Sequence, residues 1–182
     1  MKHTLICTCL LFAATTLLAQ QKAPPLSPPA TASATIGGKN ITINYSSPRV
    51  RGRAGKIYTK DGLIATSGGS QYPIWRGGAN AATTLKTDAD LTIGDLNVPA
   101  GTYTLFIDIS DPAHWVLIVS KKTGEWGLAY DKTQDLGRTP MTTTTAPLLE
   151  DLTWTITDNG GGKGTLTLAW ENMSASVPIQ VH

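Results

Sequence analysis

Cysteine is scarce, and both copies, Cys7 and Cys9, sit inside the apolar N-terminal stretch "LICTCLLFAATTLL". Lys2 precedes that stretch and the small residue Ala19 closes it, so residues 1–19 read as a secretory signal. A membrane-spanning helix would need ~20 apolar residues, more than the stretch supplies. A lipid-anchored product would need a Cys just after the apolar region, and none stands there. Without the signal the expected mature chain has no thiol. That excludes a disulfide framework, a Cys nucleophile and a thiolate metal site. The expected destination is the periplasm or the extracellular space, with no membrane span after signal removal.

Other shortages narrow the chemistry. No acidic residue precedes Asp61, whereas Lys22, Lys39, Arg49, Arg51, Arg53, Lys56 and Lys60 all do. The formal net charge is only +2, so the whole protein makes no case for nucleic acid. Beyond the signal the histidines are His114 and His182, too few for a His-based metal site at fixed spacing. Ser110, Asp111 and His114 fall in "SDPAH", where they serve as ordinary turn formers rather than a catalytic triad. Glu125, Glu150 and Glu171 are the only glutamates, and nothing pairs them for glycoside hydrolysis. Asp88, Asp90 and Asp95 offer oxygen ligands, but their spacing misses the calcium-loop pattern. No catalytic residue, metal or cofactor is expected.

What is present is β structure. Residues 20–31, "QQKAPPLSPPAT", are Pro-rich and lack a hydrophobic period, so they read as a leader or linker. Residues 32–182 then form one domain, long enough to bury roughly 68–70% of its unfolded surface. "NITINYS", "TYTLFIDI", "LTWTIT", "TLTLAWE" and "ASVPIQV" each alternate apolar and polar residues with period two. That is the mark of half-buried antiparallel strands. The alternation places Tyr103, Leu105, Trp154, Leu168 and Trp170 inside, and Thr102, Thr104, Thr155 and Thr167 outside. "HWVLIVS" is more continuously apolar, as a strand covered on both faces would be, and it puts Trp115 inside as well. Gly37–Gly38, Gly94–Asp95 and Ala100–Gly101 read as hairpin turns, and "DNGGGKG" as a flexible loop. Pro178 demotes its strand to an edge or a bulge. The fold class is all-β: an antiparallel β-sandwich, or partly closed barrel, of about eight to ten strands.

Five segments in order, "YSSPRVRGR", "WRGGANAATTL", "VPAGTYTLF", "HWVLIVSK" and "GTLTLAWENMSASVPI", resemble a bacterial family known as domain of unknown function 2911. The resemblance spans nearly the whole mature chain. It implies an exported, compact β-rich domain and carries no activity with it. Residues 64–73, "IATSGGSQYP", are longer and richer in Ser and Gly than the family pattern.

Two places could hold a ligand. Arg49, Arg51 and Arg53 alternate, so an extended backbone would project three guanidinium groups from one face toward an anion. The plainer reading is a solvated edge, or ion pairs with acids elsewhere. In "IWRGGANAATT", Gly77 and Gly78 allow a sharp turn between Trp75 and Asn80. Trp75, Arg76 and Asn80 could line a pocket. They could equally form a structural joint, with Arg76 bonded to carbonyls or a carboxylate and Asn80 bonding across the same turn; the sequence favours the joint. The functional expectation is an exported, non-enzymatic domain that binds a glycan, a small anionic ligand or an envelope component. A hydrolytic enzyme assembled from distant loops and a structural module of the envelope remain alternatives.

Overall fold

The computed structural model describes residues 25–124 and 126–182. The signal read over residues 1–19 and the start of the Pro-rich segment lie outside the described residues. No described helix is long and apolar enough to cross a membrane.

Period-two sequence becomes strand nearly everywhere. β1 (Pro29–Ile36) and β2 (Lys39–Ser46) form the first hairpin, closed by Gly37 and Gly38 at φ 57° and 77°. Both left-handed positions suit glycine and match the strands' twist. A one-turn helix α1 (Leu63–Thr66) follows, then β3 (Ile74–Trp75), β4 (Thr83–Thr87), β5 (Leu91–Ile93) and β6 (Leu96–Val98). After these come β7 (Gly101–Asp108), β8 (Val116–Ser120), a single 3-10 turn (Lys132–Gln134) and β9 (Asp135–Pro140). Two long strands end the chain, β10 (Thr142–Gly160) and β11 (Lys163–Val181).

The strands form two antiparallel sheets, one ordered β1-β2-β4-β7-β8-β9 with β3 also on β7, the other β10-β11-β5-β6. Face to face they make a sandwich, not a closed barrel. Between them lie Ile43, Leu85, Leu105, Leu117, Trp154, Leu168 and Trp170, all essentially without solvent contact. At roughly 1.5–3 kcal/mol per large side chain, this layer is the main source of stability.

Several local expectations change in three dimensions. Pro29, Ala30 and Thr31, read as leader, pair with Ser46, Tyr45 and Asn44, so strand begins three residues before Ala32. Thr104 is fully buried rather than exposed. Its face of the large sheet carries Phe106 and Ile118, and Tyr130 packs edge-on against Phe106 at 5.0 Å. A cover over the outer face defeats simple alternation there. Gly94–Asp95 does close a hairpin, between β5 and β6. The turn at Ala100 instead carries the chain from the small sheet to the large one, held by Tyr103 Oη donating to the Pro99 carbonyl at 2.9 Å. "DNGGGKG" is no loose loop but a tight turn, with Gly160 opposite Lys163 and Gly161 and Gly162 at φ 62° and 76°. Pro178 is tolerated because pairing with β10 has ended at Ser176 and pairing with β5 begins at Ile179.

Candidate functional site

Trp75 pairs with Ile107 and Thr83 with Leu105, so β3 and β4 lie along the same side of β7. Residues 76–82 are therefore looped out between Ile107 and Leu105, two residues apart on one strand edge. Gly77 turns at φ 59°, and a side chain there would press on the Trp154 ring. Three donors hold the loop. Trp75 Nε1 bonds the Gly78 carbonyl at 3.0 Å, while Trp154 Nε1 and Thr83 Oγ1 reach the Gly77 carbonyl at 2.8 and 3.3 Å. Trp154 belongs to the opposite sheet, so this segment does join the sandwich.

Arg76 takes no part in that joint, contrary to the sequence reading. Its side chain is half-buried, its Nε and Nη1 have no hydrogen-bond partner among the described residues, and burial lowers its pKa from the usual arginine value. Gly127 leaves room for it, since a Cβ at that position would collide with Arg76 Cδ. Asn80 does not bond across its own turn either. Held at φ 57°, it donates from Nδ2 to the Ser27 carbonyl at 3.3 Å.

Arg76 lines a cavity of about 220 Å³, and Arg49, Arg51 and Arg53 line it too. They do not project from an extended strand. Arg51 and Gly52 adopt left-handed φ values of 50° and 71°, and Arg53 N bonds the Val50 carbonyl at 3.1 Å, so the segment is a turn. Arg49 pairs with Asp151 at 2.9 Å and more loosely with Glu150 at 3.9 Å, both half-exposed contacts of small worth. Arg53 is pinned by the carbonyls of Val50 and Arg49 at 2.9 and 2.6 Å. Arg51 reaches the Leu26 carbonyl at 3.4 Å. The floor is apolar, made by Trp75, Trp170, Ile64 and Leu128. Trp75 and Trp170 stack at 6.0 Å with an interplanar angle of 25°. No Asp or Glu among the described residues lines this cavity.

Five of the six sequence candidates thus meet at one cavity, and Asn80 stands at its rim through Ser27. Sequence reading missed Leu26 and Ser27 as lining, and it missed Leu128, which arrives from a segment with no periodic signal. The remaining polar groups that the sequence offered stay apart. His114 Nδ1 meets Asp111 Oδ2 at 2.8 Å on the exposed surface, and that bond holds the Asp111 carboxyl below its ordinary range. Among the described residues no group of three or more His, Cys, Asp or Glu could hold a metal ion.

Fold and cavity together define an antiparallel β-sandwich with an arginine-lined pocket beside the strand excursion at residues 76–82. Residues 27–179 match the model of the family described as Protein of unknown function (DUF2911), and the chain belongs to that family. No curated protein and no solved structure matches it.

Proposed function

We propose that this is an exported binding domain whose arginine-lined cavity takes a small organic anion, with the carboxylate or phosphate on Arg76 and an apolar body on the Trp75–Trp170 floor. One observation carries the reading: Arg76, whose Nε and Nη1 are buried without a partner among the described residues, lines a cavity that holds four arginines and no described carboxylate. Burying a cation without a partner is costly, and a bidentate anion offsets that cost best. The volume falls below the roughly 300–1,000 Å³ of drug-sized sites, so the occupant is small. The cavity's Ser67 and Ser70 stand with no described carboxylate, imidazole or thiol to act as a base, which supports binding over hydrolysis.

Titration calorimetry with benzoate, hexanoate and phenyl phosphate, each against its neutral amide or alcohol, tests this. At least one acid should bind while its neutral counterpart does not. Arg76→Ala should weaken that acid about tenfold or more, equivalent to losing one charge-assisted contact. Arg76→Lys should restore only part, since a point charge lacks the fork. Equal binding of acids and neutral analogues, or none by either, would refute the proposal.

A further inference from the structure

A second cavity, of about 180 Å³, lies on the other side of the aromatic cluster and has the opposite polarity. Its walls include Tyr58, Trp115, Pro112 and Met173, and its one charged lining group is Glu171. Tyr58 contacts Trp115 at 4.9 Å, and it packs edge-on against Trp75 and Trp170 at 5.9 and 6.1 Å. Tyr58 Oη donates to the Trp170 carbonyl at 3.0 Å, which fixes the ring.

Glu171 is the unusual member. It is only 3% exposed, yet it forms no ion pair with any described Lys, Arg or His; its carboxylate accepts from the Gly55 backbone N–H. Its backbone is left-handed at φ 56°. A lone backbone N–H needs no charged acceptor, because a neutral Gln or Ser would satisfy it at far lower desolvation cost. An uncompensated charge at one cavity wall calls for a cation.

We infer that this second cavity binds a substituted ammonium group, paired with the Glu171 carboxylate and resting on the Tyr58 and Trp115 rings. A metal ion is the wrong occupant. Calcium and magnesium want six or more oxygen ligands, and the lining offers one carboxylate, with only the Thr59 hydroxyl and the Asn172 amide beside it, among apolar and aromatic side chains. Such a lining instead suits a soft, poorly hydrated organic cation, for which one anion and aromatic faces are the usual recognition set.

The test is ¹⁵N NMR titration of the wild-type domain with tetramethylammonium, with choline, and with 3,3-dimethylbutanol, the neutral isostere of choline. The two cations should shift the Gly55 amide and the Trp115 indole N–H saturably, with Kd on the order of 1–10 mM for so small a ligand. The neutral alcohol should not. Glu171→Gln keeps an acceptor for Gly55 and removes the charge, and it should weaken choline about tenfold or more. Pelleting with phosphatidylcholine vesicles, reversed by free choline, would identify a lipid headgroup as the natural source; binding of free choline without pelleting would identify a soluble one. The inference falls if no cation gives a saturable shift in the wild type. It falls equally if the alcohol shifts the same resonances as strongly, or if a folded Glu171→Gln binds choline like wild type. Acid binding in the arginine cavity is read separately and does not depend on this outcome.

Discussion

Arg76 and Trp154 meet the same loop and contribute to it in opposite ways. Trp154 donates to the Gly77 carbonyl inside the core, so its loss leaves that buried acceptor only the longer bond from Thr83 Oγ1. Arg76 has no such partner to strand, and its burial already penalises the charge. In the ligand-free protein Arg76→Ala should therefore unfold within about 1 kcal/mol of wild type, the lost packing being offset by removal of a buried, unpaired charge. Trp154→Phe keeps most of the ring and should cost about 1–3 kcal/mol through the lost hydrogen bond and the space the indole leaves. Chemical denaturation of the two variants decides this. A loss of several kcal/mol from Arg76→Ala would return Arg76 to the joint and undercut its role in ligand binding.

At the scale of elements, the large sheet carries a cover that sequence patterns did not reveal. Tyr130 lies on Phe106, donates to Asp135 Oδ2 at 2.9 Å and accepts from Arg138, which also bonds Asp135 at 2.9 Å. Burial first, and the Asp135 carboxylate next, push the Tyr130 phenol up to about 12. The fold favours the neutral phenol, so this contribution is complete below the unfolded value of about 10. It is lost as pH rises through about 12. The stability difference between wild type and Tyr130→Phe should therefore be constant below pH ~10 and shrink above it. A difference that stays flat through alkaline pH would show that Tyr130 is not held neutral. β strands with a clean period of two were legible in the sequence; this cover was not, because residues 121–134 have no period and their contacts are long-range. Thr104 shows the consequence, since its alternation predicted solvent and its neighbours supply burial. The left-handed backbone at Glu171 did leave a trace. Leu166, Leu168 and Trp170 face inward at even positions, and Ala175, Val177 and Ile179 at odd ones, so one strand can bury both sets only by slipping phase between them. Convergence of the arginines was half legible: their number and alternate spacing were plain, but nothing in the sequence set Arg49, Arg51 and Arg53 beside Trp75, and a turn rather than an extended strand gathers them.

For the molecule as a whole, the question is where the fold starts and what the first described residues do. Leu26 and Ser27 line the arginine cavity, and Pro28 adds one bond beyond the first β1–β2 pair. Ser47 N bonds the Pro28 carbonyl at 2.8 Å, while Asn80 and Arg51 hold the carbonyls of Ser27 and Leu26. Leu26 itself is 68% exposed, so little apolar surface is buried there. Residues 29–31 differ, because they are the first rungs of β1 on β2 and Thr31 Oγ1 bonds Asn44 Oδ1 at 2.8 Å. A chain begun at Pro29 should therefore keep its denaturation midpoint close to that of the longer protein, while any acid found to bind the arginine cavity loses affinity as its wall is removed. Beginning instead at Ala32 takes away several edge hydrogen bonds worth about 0.5–1.5 kcal/mol each, and stability should fall by roughly 1–3 kcal/mol. Urea unfolding of the two truncations, with the same acid titrated into each, separates strap from strand. If the chain begun at Pro29 lost as much stability as the one begun at Ala32, residues 25–28 would belong to the sandwich itself and not to the wall of its cavity.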